Sequence, residues 1–419
     1  MRLACVLGTR PEAIKLAPVI LALRGSPGVR IEVISTGQHG ALLEAALGAF
    51  GITPDADLAL MRPGQTPAEV TAAVLRTLTP RLLAARPDWL VVQGDTSTAF
   101  AAALAGFHAR VPVAHVEAGL RTHDPAAPWP EEMNRRLIGG LAARHFAPTE
   151  GAAANLRREG VDPAAILVTG NTGIDALRLT LARVEGDGAL AGRFGVLDPA
   201  RRLVLFTGHR RESLDGGLAR VAAGLARLAQ RGDLEVAVAL HLNPAAAGPL
   251  RAALGERAHV HLLPPQEHAA FVWLMRRAHL IVTDSGGVQE EAPSLGRPVL
   301  VARERSDRPE AIEAGTARLV GTDPDRLVAE ATRLLDDPAA WAAMARAANP
   351  YGDGHAAERI VASLCGEARQ AGSQRSAPKP GAAHGGSARK ARGAPSASVG
   401  LGASSQGAQA KPPEAAPGV

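Results

Sequence analysis

Cysteine is almost missing from this chain: Cys5 and Cys365 are the only two in 419 residues. Each sits in an apolar stretch, so neither a disulfide framework nor a cysteine-built zinc site can be assembled. No uninterrupted apolar run approaches the roughly 18 to 20 residues that span a bilayer. The first apolar run, Leu3 to Leu7, stops at Gly8-Thr9-Arg10, too short for the core of a secretory signal. These absences predict a soluble, cytoplasmic protein with no membrane contact. Phosphate-binding fingerprints are missing too. No strand-like run leads into G-x-G-x-x-G; Gly186-Asp187-Gly188 has Ala191 at the third position and no strand before it. None of the four lysines follows the glycines of a Walker A loop. Nicotinamide-dependent hydride transfer and P-loop phosphoryl transfer are therefore disfavoured, and neither cofactor nor metal is expected.

Charge is present but unevenly placed. The formal charge of +5 and pI near 9.8 suggest a binder of nucleic acid. From Gln370 to Val419, however, six basic residues face one acid, which leaves residues 1–369 with 40 of each sign. The basic pI belongs to the tail. Ala, Gly, Ser and Pro make up 35 of those last 50 residues, a composition unable to bury enough apolar surface to offset its ordering entropy. Residues 370–419 are therefore read as a disordered tail. Its Arg389-Lys390-Arg392 cluster lacks the interleaved aromatics of a nucleic-acid arm.

In the neutral body, short β-branched runs alternate with amphipathic Ala/Leu/Arg segments, the rhythm of βαβ units and a parallel sheet. Strands are expected at Leu3–Leu7, Ile31–Ser35, Trp89–Gln93, Val111–Val116, His145–Pro148 and Ile166–Thr169. A second series is expected at Leu203–Thr207, Glu235–Leu240, Val260–Leu263, Leu280–Thr283 and Pro298–Val301. Between them, Gly173 to Arg202 reads as a helix followed by a polar connection. The fold class is α/β: two Rossmann-like doubly wound domains, 1–172 and 173–369. Ligands of such sheets bind off the carboxyl ends of the strands.

The first strand runs into Gly8-Thr9-Arg10-Pro11-Glu12-Ala13-Ile14-Lys15, where Pro11 suits a helix's first position. Arg10 and Lys15 then lie near a helix N-terminus, which favours an anion. Lys15 is the only lysine among residues 1–369, against 39 arginines. The next informative strand ends are Gln93-Gly94-Asp95-Thr96-Ser97 and His115-Val116-Glu117-Ala118-Gly119, so Asp95 and Glu117 can face one ligand from neighbouring strands. Glu131 and Arg135 follow in Trp129-Pro130-Glu131-Glu132-Met133-Asn134-Arg135, one helical turn apart. Singly, each acid would cap a helix. Three at the strand and helix ends of one domain point to acid/base chemistry.

In the second domain the first strand ends at Thr207-Gly208-His209-Arg210, a phosphate clamp in which His209 can donate to a leaving oxygen. His241 is either a ligand contact or a cap. The richest stretch is Thr283-Asp284-Ser285-Gly286-Gly287-Val288-Gln289-Glu290-Glu291. Small residues there let a diphosphate approach a helix N-terminus, and Glu291 can accept from ribose hydroxyls. Arg308 offers another cation. Phe271, after Pro265-Gln266-Glu267, offers a flat face for a base.

These strings resemble the non-hydrolysing UDP-N-acetylglucosamine 2-epimerases of bacteria, over about residues 1–366. The resemblance is carried by GTRPEAIKLAPV, GDTSTAF, HVEAGLRT, PWPEEMNR, TGHRRES, TDSGGVQEEAPSLGRPVL and RPEAIEAGT. It implies a glycosyltransferase-B-like pair of domains, a homodimer, an interdomain active site and a closing helix, about 355–369, that packs back on the first domain. The implied reaction inverts C2 of UDP-GlcNAc to give UDP-ManNAc, by anti elimination of UDP to 2-acetamidoglucal and re-addition. On matching motifs, Asp95, Glu117 and Glu131 are the acid/base carboxylates, Arg135 neutralises or positions them, and His209 assists the departing UDP. Arg10, Lys15, Gln266, Phe271, Ser285, Gly286, Gly287, Glu291 and Arg308 bind the nucleotide sugar. A second, activating UDP-GlcNAc, known in some members, would meet Gln38, His39, Gln65, Glu132, Arg210 and His241. The rival readings are a hydrolysing epimerase releasing N-acetylmannosamine, a glycosyltransferase, and a non-catalytic nucleotide-sugar sensor. Three carboxylates beside a diphosphate would repel the sensor's ligand unless they move protons.

Overall fold

The computed structural model describes residues 1–38, 40–62, 64–208 and 216–376, and Met1–Gly372 form one compact unit. Two all-parallel sheets organise it. The first contains β1 (Arg2–Leu7), β2 (Arg30–Ser35), β3 (Ala56–Asp57), β4 (Trp89–Gln93), β5 (Val113–Val116), β6 (Arg144–Ala147) and β7 (Ile166–Val168), ordered β3-β2-β1-β4-β5-β6-β7. The second contains β8 (Arg202–Thr207), β9 (Leu234–Ala239), β10 (Val260–Leu263), β11 (Leu280–Thr283), β12 (Val299–Val301) and β13 (Ala317–Leu319), ordered β10-β9-β8-β11-β12-β13. Both are the doubly wound α/β arrangement expected, with strand order reversing between β1 and β4 and between β8 and β11. Crevices open at those two points.

Three local differences have physical reasons. Strand β5 begins at Val113, not Val111, because Pro112 has no N–H for a ladder; its carbonyl still accepts from Leu90 N at 2.9 Å. Strands β3 and β13, two and three residues long, are too short to show a period. The joint near residue 172 is no free connection. It opens the helix Thr172–Val184, whose Ala176 belongs to a core of the first sheet while Ile174, Leu177 and Val184 belong to one of the second.

The last helix, Ala356–Ser376, runs seven residues past the end expected at 369; residues 377–419, the rest of the tail, lie outside the described residues. Asp175 on the joining helix accepts the first N–H groups of this helix, Ala357 N at 2.8 Å and Ala356 N at 3.2 Å. Ala357, Ile360, Val361 and Leu364 pack with Leu3, Leu16 and Ile20 of the first domain. Burial of Ile360 and Leu364, both 0% exposed, contributes roughly 1.5–3 kcal/mol each. Among the described residues no helix is long and apolar enough to cross a membrane.

Candidate active site

Strand β5 ends at Glu117, whose φ of +65° is left-handed, a conformation costing on the order of 1–3 kcal/mol for a non-glycine residue. Three donors hold its carboxylate there. Oε1 accepts from Lys15 Nζ and from Asn171 Nδ2 at 3.1 Å, and Oε2 accepts from Gln93 Nε2. Gly94, at the end of neighbouring β4, has φ +70°, and a Cβ there would lie 3.7 Å from Glu117 Oε2. Its carbonyl accepts from His115 Nε2 at 2.7 Å. Burial pushes His115 down to about 3, so the ring is neutral, with its proton on Nε2 because a carbonyl only accepts.

Asp95, next along the same loop, is clamped by Arg135, whose Nε and Nη2 reach its Oδ2 at 2.8 and 2.7 Å. Asn134 Nδ2 donates to the Asp95 carbonyl at 2.8 Å. Glu131 and Glu132, adjacent in sequence, part company. Glu131 lines the cavity with Asp95 and Glu117, and its Oε2 is buried without a hydrogen-bond partner. Glu132 is wholly buried and accepts from Thr122 N, His123 N, Arg135 and Arg136. Burial opposes its charge, but the Thr122 N–H and Arg135 outweigh that and hold the carboxyl below its usual range.

The anion site expected at the N-terminus of the helix Arg10–Arg24 is filled by the chain itself. Glu12 Oε2 accepts from Gly8 N at 3.0 Å and Thr9 N at 2.7 Å, and its Oε1 from Thr96 Oγ1 at 2.7 Å. Lys15, on the next turn, points instead to Glu117 and to Glu290 Oε2, 3.2 Å away in the second domain. Burial opposes the Lys15 charge, yet these two carboxylates hold the ammonium above the usual lysine range.

From the second domain, Arg308 Nε donates to Glu290 Oε1 at 2.5 Å. Burial works against the Glu290 charge, and Lys15 and Arg308 reverse the effect, keeping the carboxyl low. Glu291 has no such help: burial and the Glu290 charge push it up to about 8. Ser285 precedes the helix Gly286–Glu291 and makes no side-chain cap. A cavity of about 330 Å³ joins Lys15, Asp95, Glu117, Glu131 and Arg135 of the first domain to Arg308 of the second. Beside it, Gln38 and Gln65 line a space of about 320 Å³ that also touches Asp95 and Glu131. Arg10 and Gln266 line a third, of about 350 Å³, where Arg10 Nη2 donates to the Gln266 carbonyl at 3.2 Å.

The remaining expectations divide. Phe271 is half-buried and packs on the second domain's core. His241 Nδ1 accepts from Asn243 N at 3.0 Å, and Asn243, not His241, caps the helix Pro244–Leu254. His39, His209 and Arg210 lie outside the described residues. Gln93, Asn171 and Glu290 were missed. Asn171 does stand at a strand end, after β7, in a stretch read as the domain joint, and Glu290 stood beside the residue chosen.

A family model for UDP-N-acetylglucosamine 2-epimerase matches residues 21–365. The UDP-N-acetylglucosamine 2-epimerase of Escherichia coli K12 is 49% identical over 369 residues, which cover 87% of this chain and 98% of that protein. The crystal structure of the Neisseria meningitidis UDP-GlcNAc 2-epimerase bound to UDP-GlcNAc is similar at a TM-score of 0.83 and 42% identity, covering 87% of this chain and 100% of that one. That of the Methanocaldococcus jannaschii enzyme in complex with UDP-GlcNAc and UDP reaches 0.75 at 34% identity, covering 87% and 99%. The two parallel-sheet domains thus have the glycosyltransferase-B-like arrangement of these epimerases, and the chain belongs to the UDP-N-acetylglucosamine 2-epimerase family.

Proposed function

We propose that this protein interconverts UDP-N-acetylglucosamine and UDP-N-acetylmannosamine without hydrolysis, in the cytoplasm, as a supplier of cell-surface polysaccharide synthesis. The observation carrying the reading is the convergence of Asp95, Glu117 and Glu131 with Lys15, Arg135 and Arg308 in one cavity. C2 of the sugar bears a proton that no carbonyl activates, so inversion needs a base, an acid and stabilisation of a leaving diphosphate. One carboxylate takes the C2 proton. The C–H electron pair becomes the C1=C2 double bond of 2-acetamidoglucal, and the C1–O bond breaks with its pair passing to UDP. On return, the UDP oxygen bonds to C1 while a carboxylic acid protonates C2 from the other face. Arg135 fixes Asp95 for this work, and His209 is assigned to the departing UDP oxygen. Arg10, Gln266, Phe271, Ser285, Gly286, Gly287, Glu291 and Arg308 are assigned to nucleotide-sugar binding. Gln38 and Gln65 support an activating second UDP-GlcNAc, which hyperbolic kinetics with no lag in the reverse direction would contradict.

A homodimer is part of the reading. The helices Pro67–Ala85, Ser97–His108 and Glu131–Leu141 pack in a row and expose Leu83, Phe107 and Leu137 at 50, 59 and 44%, an apolar face suited to a second copy. Sedimentation at the monomer mass would refute it.

The deciding experiment is incubation with UDP-GlcNAc in heavy water, followed by NMR. UDP-ManNAc carrying deuterium at C2 is expected. Free N-acetylmannosamine with UDP would instead establish hydrolysis, and unchanged substrate would remove the enzymatic reading.

A further inference from the structure

All three donors to Glu117 lie in its own domain, but two of them also reach the other. Of its three donors, Lys15 and Asn171 are shared with a second carboxylate. Glu290 Oε2 accepts from Asn171 Nδ2 at 3.0 Å and from Lys15 Nζ at 3.2 Å, while Oε1 takes Arg308. Two cations and two carboxylates are thereby interleaved around one amide. The Glu290 side chain is 2% exposed, and it is not among the residues lining the cavity that holds Lys15, Glu117 and Arg308. What the Glu290 carboxylate touches is Lys15, Asn171 and Arg308 rather than the cavity space.

We propose that Glu290 and Asn171 are positioning residues for Glu117: they divide the Lys15 ammonium and one amide donor between two carboxylates, so that Glu117 is oriented toward the sugar without being locked into a one-to-one ion pair. The inference rests on the epimerase reading above. With the Glu290 charge removed, Arg308 would keep Asp307 at 3.6 Å, while Lys15 would be left with Glu117 as its ion-pair partner in a desolvated site, where charge acts strongly. A carboxylate locked onto the whole Lys15 charge is a poor acceptor for a carbon-bound proton. Substrate binding would suffer less, because Glu290 itself does not reach the cavity.

The test measures kcat, KM for UDP-GlcNAc and Tm on the full chain for E290Q, E290D and N171S. Serine keeps an N-cap oxygen for Gly173 N, which Asn171 Oδ1 now holds at 2.9 Å, but it removes the shared Nδ2 donor. We expect kcat to fall roughly 10- to 100-fold in E290Q and about tenfold in N171S, with KM within about threefold of the parent. E290D should recover part of the loss. Tm of N171S should stay within about 2 °C. Full kcat in N171S would overturn the proposal, as would parallel losses in kcat and KM with a lowered Tm and no recovery in E290D. Should E290Q fail to fold, N171S decides by itself. A parent chain inert toward UDP-GlcNAc would remove the epimerase reading and this inference with it; an active parent with fully active variants would remove the inference alone.

Discussion

At the carboxyl ends of the first sheet, the polar groups face one another. Glu12 fills the helix N-terminus after β1, Arg135 clamps Asp95 after β4, and three donors fix Glu117 after β5. At the corresponding end of the second sheet, β11 leads into Ser285-Gly286-Gly287, with no side-chain cap on the following helix and nothing nearer than 4.0 Å to a Cβ built at Gly287. A constellation of interlocked hydrogen bonds is costly to rearrange, which suits groups that must keep one geometry while protons move. Small residues ahead of an uncapped helix suit a bulky anion that must enter and leave. On the proposed function, this contrast would give proton transfer to the first domain and diphosphate binding to the second, a division that can be broken from either side.

The largest effect is expected at Glu117. Replacing it by Gln should lower kcat by roughly 10²- to 10⁴-fold, the usual worth of a general acid or base. UDP affinity, read by calorimetry, should stay within a few fold. Ser285→Ala should do the reverse, raising KM about fivefold through one lost hydrogen bond while leaving kcat nearly intact. If Glu117→Gln mainly weakened UDP binding, the division of labour would be wrong.

A glycine pair sharpens the same contrast through stability. Gly119, just past Glu117, has φ +90°, and an added Cβ would sit 2.2 Å from the Ala152 carbonyl oxygen. Gly119→Ala should therefore cost on the order of 3 kcal/mol, combining overpacking with backbone strain. Gly287→Ala meets open space, so its Tm should stay within about 2 °C while UDP binding weakens. Differential scanning calorimetry with UDP titration checks both. A stable Gly119→Ala would show that the turn carrying Glu117 is looser than its contacts indicate.

Much of this was legible beforehand because strand-end chemistry is local. Asp95, Glu117, Lys15, Arg135 and Arg308 could be named from runs of a few residues, and ten of the eleven expected strands lie within a residue or so of their observed bounds. What stayed hidden depends on direction or distance. Glu131 and Glu132 share every local signal, yet neighbouring side chains on a helix point about 100° apart, so one lines the cavity and the other is buried among backbone donors. Lys15 and Glu290 meet across 275 residues, a contact no periodicity announces. The helix N-terminus at Arg10 misled for a local reason: Thr9 and Glu12 form a capping box, so Glu12 supplies the anion that the terminus attracts.

The smallest expected effect is the dependence of stability on pH. In the first domain, burial pushes His115 down to about 3 and His145 to about 4. The unfolded chain takes up those protons near the ordinary histidine value of about 6.5, while the folded chain refuses them. Stability present above that value is therefore lost as pH falls from about 6.5 toward 4. His268 and His279 of the second domain behave alike, pushed down to about 4 by burial, but at Glu291 the sign is opposite. Glu291 is pushed up to about 8 by burial and Glu290, so the unfolded chain sheds its proton from about 4.5 upward while the ligand-free fold retains it. That contribution is lost as pH rises from about 4.5 through 8. Tm measured against pH should accordingly fall on both sides of a maximum. Glu291→Gln should flatten the limb above the maximum and steepen the one below it, and His145→Gln should soften only the acid one. If Glu291→Gln flattened the acid limb instead, the folded-state carboxyl would be low, and the second domain's end would hold its charges as tightly paired as the first's.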